Sequence, residues 1–205
     1  MTKPGFLLVV SGPSGAGKST MLRKAMEECR DMRFSVSATT RDPRDDEKEG
    51  VDYFFVSRAR FDEMQNRGEL LESAEFAGHH YGTPTEPVRE SLKNGRIAVL
   101  DIEARGAMQV RARHPDCVLV YVCPTDISEV ERRLRSRRTE SEEKIRRRMA
   151  GMYEQLRHIP KYDYMVANDH LDEAVRELLC IVDAERCRTS RMKSLPFPNA
   201  YDIIY

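Results

Sequence analysis

The sequence predicts an α/β fold: a parallel sheet flanked by helices, interrupted by a small mixed α/β lobe and by an arginine-rich helical segment. Three observations carry this. Short, continuously apolar runs alternate with stretches of helical spacing. A glycine-rich stretch, "SGPSGAGKST", separates the first such run from the first helix. Two segments break the alternation, one made of short strands and one dense in arginine.

"FLLVV" opens the chain as a strand buried on both faces, because a run with no polar alternation has no solvent side. "KSTMLRKAMEEC" follows with Met21, Leu22, Ala25 and Met26 on one helical face. "RIAVLDI" and "CVLVYVC" are two further buried strands, and "EARGAMQVRARH" between them is a helix stopped by Pro115. "YDYMVAN" is the last strand and "LDEAVRELLCIVDAERCR" the last long helix. Strand–helix alternation of this kind gives a parallel sheet with helices on both faces.

The first interruption runs from about Phe34 to Gly82. "FSVSATTR", "DYFFV" and "ELLESAEFAGHHYG" read as short strands around one helix, "RARFDEMQNRG". A helix follows in "TPTEPVRESLKNG", with Thr83 and Glu86 as a capping box, Pro84 as first helical residue and Gly95 as the stop. The second interruption, "ERRLRSRRTESEEKIRRR", holds eight arginines, one lysine and four glutamates. Thr139 and Glu142 form a second capping box, so helix–turn–helix is expected there. The segment "SLPFPNAYDIIY" has no clear period.

Composition narrows the function classes. The chain has 205 residues, 40% of them hydrophobic, enough for a substantial core. Lys and Arg together number 34, as do Asp and Glu, which argues against a nucleic-acid partner. No stretch approaches the roughly 18 apolar residues of a membrane span, and no signal peptide is visible. The five cysteines, Cys29, Cys117, Cys123, Cys180 and Cys187, include no C-x-x-C pair. Reduced structural cysteines in a cytoplasmic protein are expected.

The glycine-rich stretch carries the first chemistry. Gly12-x-x-x-x-Gly17-Lys18-Ser19 sits after an apolar strand and before a helix, the context that makes this pattern a P-loop rather than an ordinary turn. Backbone N–H groups across Gly12, Pro13, Ser14, Gly15, Ala16 and Gly17 can turn inward as an anion nest, and the helix opening at Lys18, Ser19 and Thr20 adds its dipole. Lys18 places a positive charge on the β- and γ-phosphates of a nucleoside triphosphate, and Ser19 offers a hydroxyl to Mg²⁺. The loop does not say what receives the phosphate.

"SVSATTRDPRDDEKEGVDYFFV" supplies a candidate acceptor site. Arg41 and Arg44 can converge on one small anion, since the guanidinium fork binds phosphate bidentately. Tyr53 can add a hydroxyl. Charge alone reads this very hydrophilic stretch as a solvated hairpin; the P-loop upstream shifts that balance.

With these residues named, the chain resembles guanylate kinases over about residues 5–190. The matching pieces are "SGPSGAGKST", "SVSATTRDPR" with "GVDYFF", "LLESAEF" with "YGTP", "AVLDIE", "RRLRSRRTESEEKIRRRM" and "YDYMVAND", in family order. The resemblance implies a P-loop NTPase core at about 5–33, 84–125 and 160–190, a GMP-binding lobe at about 34–83, a lid at about 126–159 and a tail at about 191–205. It implies phosphoryl transfer from Mg²⁺-ATP to GMP, and to dGMP, giving ADP and the nucleoside diphosphate in purine metabolism. By resemblance Arg41, Arg44, Tyr53 and Tyr81 clasp the GMP phosphate, with Gly82 beside them. Ser37, Glu72 and Thr83 read guanine. Asp101 serves the acceptor side and helps organise Mg²⁺, although a strand-end aspartate taken alone is more often a helix cap. Arg133, Arg137 and Arg148 match lid arginines that reach the phosphates on closure, and Asn168 matches a residue near adenine. Some arginines of that stretch are solvated partners in pairs such as Glu142–Arg146.

The chain departs from the family pattern at Arg138, Glu103, Arg105 and the Asp45–Asp46 pair, none of which removes an essential group. Two other readings compete: a kinase for a sugar phosphate, which the guanine-reading set disfavours, and a non-catalytic binding module, which the intact Lys18 and Ser19 disfavour. The sequence leaves a homo-oligomer open.

Overall fold

The computed structural model describes residues 4–76, 78–136 and 142–192. Strand β1 (Leu7–Ser11) runs into the glycine loop, and helix α1 (Lys18–Glu28) starts at its end. The chain continues through β2 (Met32–Phe34), β3 (Ser37–Thr39), β4 (Tyr53–Phe55), α2 (Arg58–Asn66), β5 (Leu70–Phe76) and β6 (His79–Pro84). Then come α3 (Thr85–Lys93), β7 (Ile97–Asp101), α4 (Ala104–Arg113), β8 (Val118–Cys123), α5 (Ile127–Ser136) and α6 (Glu142–Leu156). Strand β9 (Tyr164–Ala167) and α7 (Leu171–Arg186) complete the fold.

Five strands form one wholly parallel sheet in the order β2-β7-β1-β8-β9. Alternation within β1 shows why its residues had to be apolar throughout. Leu8 and Val10 pack with Met21, Leu22 and Ala25 of α1 and with Val175, Leu178 and Val182 of α7. Leu7 and Val9 point the other way, into Val88 of α3 and Ala107 and Val110 of α4. Both faces are thus covered, as a parallel sheet requires. The chain leaves β1 toward β2 on one side, while β7 leads through α4 to β8 on the other. Ligand crevices of such sheets open at the strand C-termini where the order reverses.

Strand β2 was not anticipated from sequence. It has three residues, of which Met32 alone is buried, so no apolar run marks it. The capping box expected at Thr83 is also absent. Pro84 occupies the N-cap of α3 without a side-chain cap bond, because the Thr83 hydroxyl is engaged elsewhere (below). Gly95 does stop the helix, with φ 68° and its N–H bonded to the Leu92 carbonyl. Thr139, half of the second expected box, lies outside the described residues.

The second sheet, ordered β4-β3-β6-β5, forms the lobe. Cross-strand partners share a face and residues two apart return to it. Ser37 pairs with Tyr53, Thr39 with Tyr81, and Thr83 with Glu72. These six side chains therefore occupy one face. Ala38, Phe54 and Gly82 occupy the other, against Phe61 and Leu70 of a small core that includes α2. Helices α5 and α6 form a hairpin around Val130 and Met152. All five cysteines are free; Cys117 and Cys123 are buried, but Cys180 and Cys187 are exposed on the surface of the last helix and its cap.

Candidate active site

The glycine loop folds because its glycines adopt backbone angles other residues resist. Gly15 and Gly17 have φ of 93° and 81°, the left-handed region. At Gly12 a β-carbon would lie 1.9 Å from the Val122 carbonyl oxygen, so the loop can pass β8 only without a side chain. The Lys18 ammonium reaches back to donate to the Gly12 carbonyl at 2.8 Å and the Pro13 carbonyl at 3.4 Å. Pro13 also accepts from the Ala16 N–H. Gly17 caps α1 without a side-chain bond, which leaves that turn's N–H groups directed at the loop's concave side.

Register brings Asp101 to this loop. It lies beside Val10 in the β1–β7 ladder. Its Oδ2 accepts from Ser19 Oγ at 3.1 Å, and its Oδ1 lies 3.8 Å from Lys18 Nζ. The α4 N-cap is Glu103 instead, so Asp101 is not a cap. Ser19 and Asp101 are oxygen donors suited to Mg²⁺, which keeps several waters and is shared with substrate phosphates. Among the described residues no cluster of three or more His, Cys, Asp or Glu forms a closed metal cage, and Mg²⁺ with a nucleotide does not need one.

In the lobe, Arg41 and Arg44 are held by a residue whose role the sequence did not reveal. Glu47 accepts from Arg41 Nη2 through both carboxylate oxygens at 2.8 Å, and from the Arg44 backbone N–H at 2.9 Å. Burial works against the Glu47 charge, yet these donors hold its carboxyl below the usual range. The Arg41 guanidinium lies 5.5 Å from the Tyr53 ring centre and 5.8 Å from that of Phe55. Tyr53 and Tyr81 meet edge to face at 5.9 Å. Burial, and next the Asp101 charge, push the Tyr53 hydroxyl up to about 12. Asp45 and Asp46 stand exposed beside this cluster.

Glu72 lies deeper, 3% exposed. One carboxylate oxygen accepts from Thr83 Oγ1 at 2.9 Å. Burial pushes its carboxyl up to about 6, against the Thr83 bonds and the Arg113 charge. A charge so nearly buried requires a purpose or a partner. Ser37 sits two strands away on the same face. Gly82 faces α2, where a β-carbon would strike the Glu72 carbonyl oxygen at 2.9 Å; its part in the site is backbone only.

Asn168 is buried behind the loop and donates to the Ala16 carbonyl at 2.6 Å. Arg133 lies in α5 and Arg148 in α6, but their side chains, like the whole of Arg137, fall outside the described residues, as does Arg138. Glu142, expected to pair with Arg146, pairs with Arg135 of α5 across the hairpin. Lys18, Ser19 and Asp101 thus converge in the core, Arg41, Arg44, Tyr53 and Tyr81 cluster in the lobe, and Ser37, Glu72 and Thr83 share the lobe face that carries Tyr53 and Tyr81.

A parallel sheet, a glycine loop between β1 and α1, and an acid at the end of β7 define a P-loop nucleotide-binding protein. Comparison with known proteins makes this particular. The guanylate kinase family model matches residues 5–185. The guanylate kinase of Myxococcus xanthus is 46% identical over 190 residues, 92% of this chain and 91% of the relative. That of Caldanaerobacter subterraneus is 42% identical over 193 residues, 94% of each. A crystal structure of guanylate kinase from Anaplasma phagocytophilum superposes with a TM-score of 0.78 at 30% identity, covering 92% of this chain and 90% of that one. The chain belongs to the guanylate kinase family.

Proposed function

We propose that this chain carries out the phosphoryl transfer of its family, from ATP to GMP, with the residues described above in the following roles. The P-loop holds the ATP phosphates through its backbone N–H groups, and Lys18 supplies charge at the transferring phosphate. Arg41, Arg44, Tyr53 and Tyr81 hold the GMP phosphate, with Glu47 fixing the two arginines. A GMP phosphate oxygen forms the new bond to the γ-phosphorus while the bond to the β–γ bridging oxygen breaks, giving GDP and ADP. The attacking oxygen is already anionic near pH 7, so no side chain need remove a proton. Catalysis is then alignment and charge stabilisation, the task assigned to Lys18, Arg41 and the lid arginines Arg133, Arg137 and Arg148. Ser19 and Asp101 would hold Mg²⁺, which would supply charge neutralisation at the ATP phosphates.

Guanine offers adjacent N1–H and N2–H donors, and a carboxylate with two acceptor oxygens matches both. The near-complete burial of Glu72 beside Thr83, on the same face as Ser37, is the observation that carries the guanine assignment. No named group depends on the ribose 2′-hydroxyl, so dGMP is an expected second acceptor. Asn168, expected near adenine, is given the role of supporting the ATP-holding loop through its bond to the Ala16 carbonyl. No helix among the described residues is long and apolar enough to cross a membrane, in keeping with a cytoplasmic setting.

Glu72→Gln tests the assignment. The amide retains one acceptor and loses the charge, so kcat/KM for GMP should fall by at least about 10²-fold with KM for ATP unchanged. Use of GMP equal to the parent's would contradict it.

A further inference from the structure

We infer that one face of α4, carrying Gly106, Gln109 and Arg113, is a positioning rail that sets the location of the Glu72 carboxylate and so tunes acceptor specificity. This rests on the guanine-reading role of Glu72. The three residues are spaced three and four apart, so they project from one side of the helix. All three meet β5 within two residues of Glu72.

Gln109 grips the backbone next to Glu72 with both ends of its amide. Its Nε2 donates to the Ser73 carbonyl at 2.7 Å, and its Oε1 accepts from the Ser73 N–H at 3.3 Å. Arg113 Nη1 donates to the Leu71 carbonyl at 2.6 Å and to that of Leu70 at 3.4 Å. Between these anchors Leu71 is buried with Ala107 and Val110 of the same helix. The β5 segment that bears Glu72 is therefore fastened to the core rather than only to its own lobe.

Gly106 completes the rail by what it lacks. A β-carbon there would lie 2.5 Å from Glu72 Oε2 and 3.2 Å from its carboxyl carbon. The first turn of α4 thus presents bare backbone to the carboxylate, at the helix end whose dipole favours a negative charge. The helix also begins three residues after Asp101. Its first turn therefore lies between the acid at the P-loop and the acid proposed to meet guanine.

The rail gives Gly106 a signature that a packing role would not. Alanine favours a helix over glycine, so Gly106→Ala should leave the thermal midpoint unchanged or raised. Its methyl must displace the carboxylate, and misplacing a binding group by about 1 Å costs up to about 10²-fold. We expect KM for GMP to rise about 10- to 10²-fold, the preference for GMP over AMP to fall, and KM for ATP to stay constant. Gln109→Ala should do the same more weakly, and it carries the test if Gly106→Ala does not fold.

The decisive measurement is a double-mutant cycle with Glu72→Gln, reading steady-state KM for GMP, AMP and ATP. If the rail acts through Glu72, adding Gly106→Ala to Glu72→Gln changes GMP use little further. Full additivity would overturn the inference. So would Gly106→Ala and Gln109→Ala with parental KM for GMP beside an impaired Glu72→Gln, which leaves the guanine reading standing. An unimpaired Glu72→Gln would remove that reading and the rail with it.

Discussion

Lys18 tests the P-loop at the scale of one charge. Its ammonium rests on two loop carbonyls and near Asp101, and α1 packs through Met21, Leu22 and Ala25 instead. Lys18→Ala should fold and bury the same core. Losing one preorganised charge at the transferring phosphate should lower kcat by at least about 10²-fold; activity within a few-fold of the parent would remove Lys18 from the chemistry. Glu47 is the second single-residue test. Two donors share its carboxylate, so Glu47→Ala frees Arg41 and Arg44 to point elsewhere. We expect KM for GMP to rise by about tenfold or more, with KM for ATP unchanged, in steady-state assays varying each substrate. Glu72 gives a pH test whose sign is set by burial. Its folded-state value, about 6, lies above the ordinary 4.5. The carboxylate needed for guanine is therefore lost as pH falls through about 6, and kcat/KM for GMP should drop there while KM for ATP does not. Ionised burial also disfavours the folded state above that pH. Glu72→Gln should accordingly be as stable as the parent at pH 7.5, or more stable by about 1–2 kcal/mol, in urea unfolding.

At the scale of elements, the alternation of apolar runs and helical stretches makes most of the core sheet readable in the sequence. β1, β7 and β8 lie where buried strands were expected, and β9 where a last short strand was expected. Edge strand β2 escaped because Met32–Phe34 buries one residue and needs no apolar run. The lobe was harder for a related reason. Its strands are three to seven residues long, too short for a strong period, so the common face of Ser37, Tyr53, Glu72, Tyr81 and Thr83 emerges only from cross-strand register. Thr83 is the instructive misreading. Followed by Glu86 it has the pattern of a capping box, but tertiary pairing placed it opposite Glu72 and took its hydroxyl. Glu47 has no legible role within a run of charges that reads as solvated, because nothing local shows that two arginines fold back onto it. Gly106, Gln109 and Arg113 read only as helix, since their partner strand lies over 30 residues away in sequence.

For the whole molecule, the α4–β5 junction fastens the lobe to the core near Glu72, and the proposed transfer requires the Arg41–Arg44 turn and the P-loop to meet around the two nucleotides. Closure should therefore swing the far edge, β4 and the Arg41–Arg44 turn, toward the loop while that junction stays in place. Small-angle scattering with a linked ATP–GMP bisubstrate analogue should show a smaller radius of gyration than without it; an unchanged radius would count against closure. The central claim, however, concerns which nucleotide accepts the phosphate, and a coupled ADP-release assay across GMP, dGMP, AMP and ribose phosphates addresses it most directly. Adenine has no hydrogen on N1 and no 2-amino group, so its N1 lone pair would face the Glu72 carboxylate. Sites that hydrogen-bond a substrate in this way reject analogues lacking the donors by roughly 10⁴-fold. The account predicts ADP release that depends on GMP or dGMP, with kcat/KM for GMP exceeding that for AMP by about that factor. Equal use of AMP, or ADP release at the same rate without any acceptor, would contradict it.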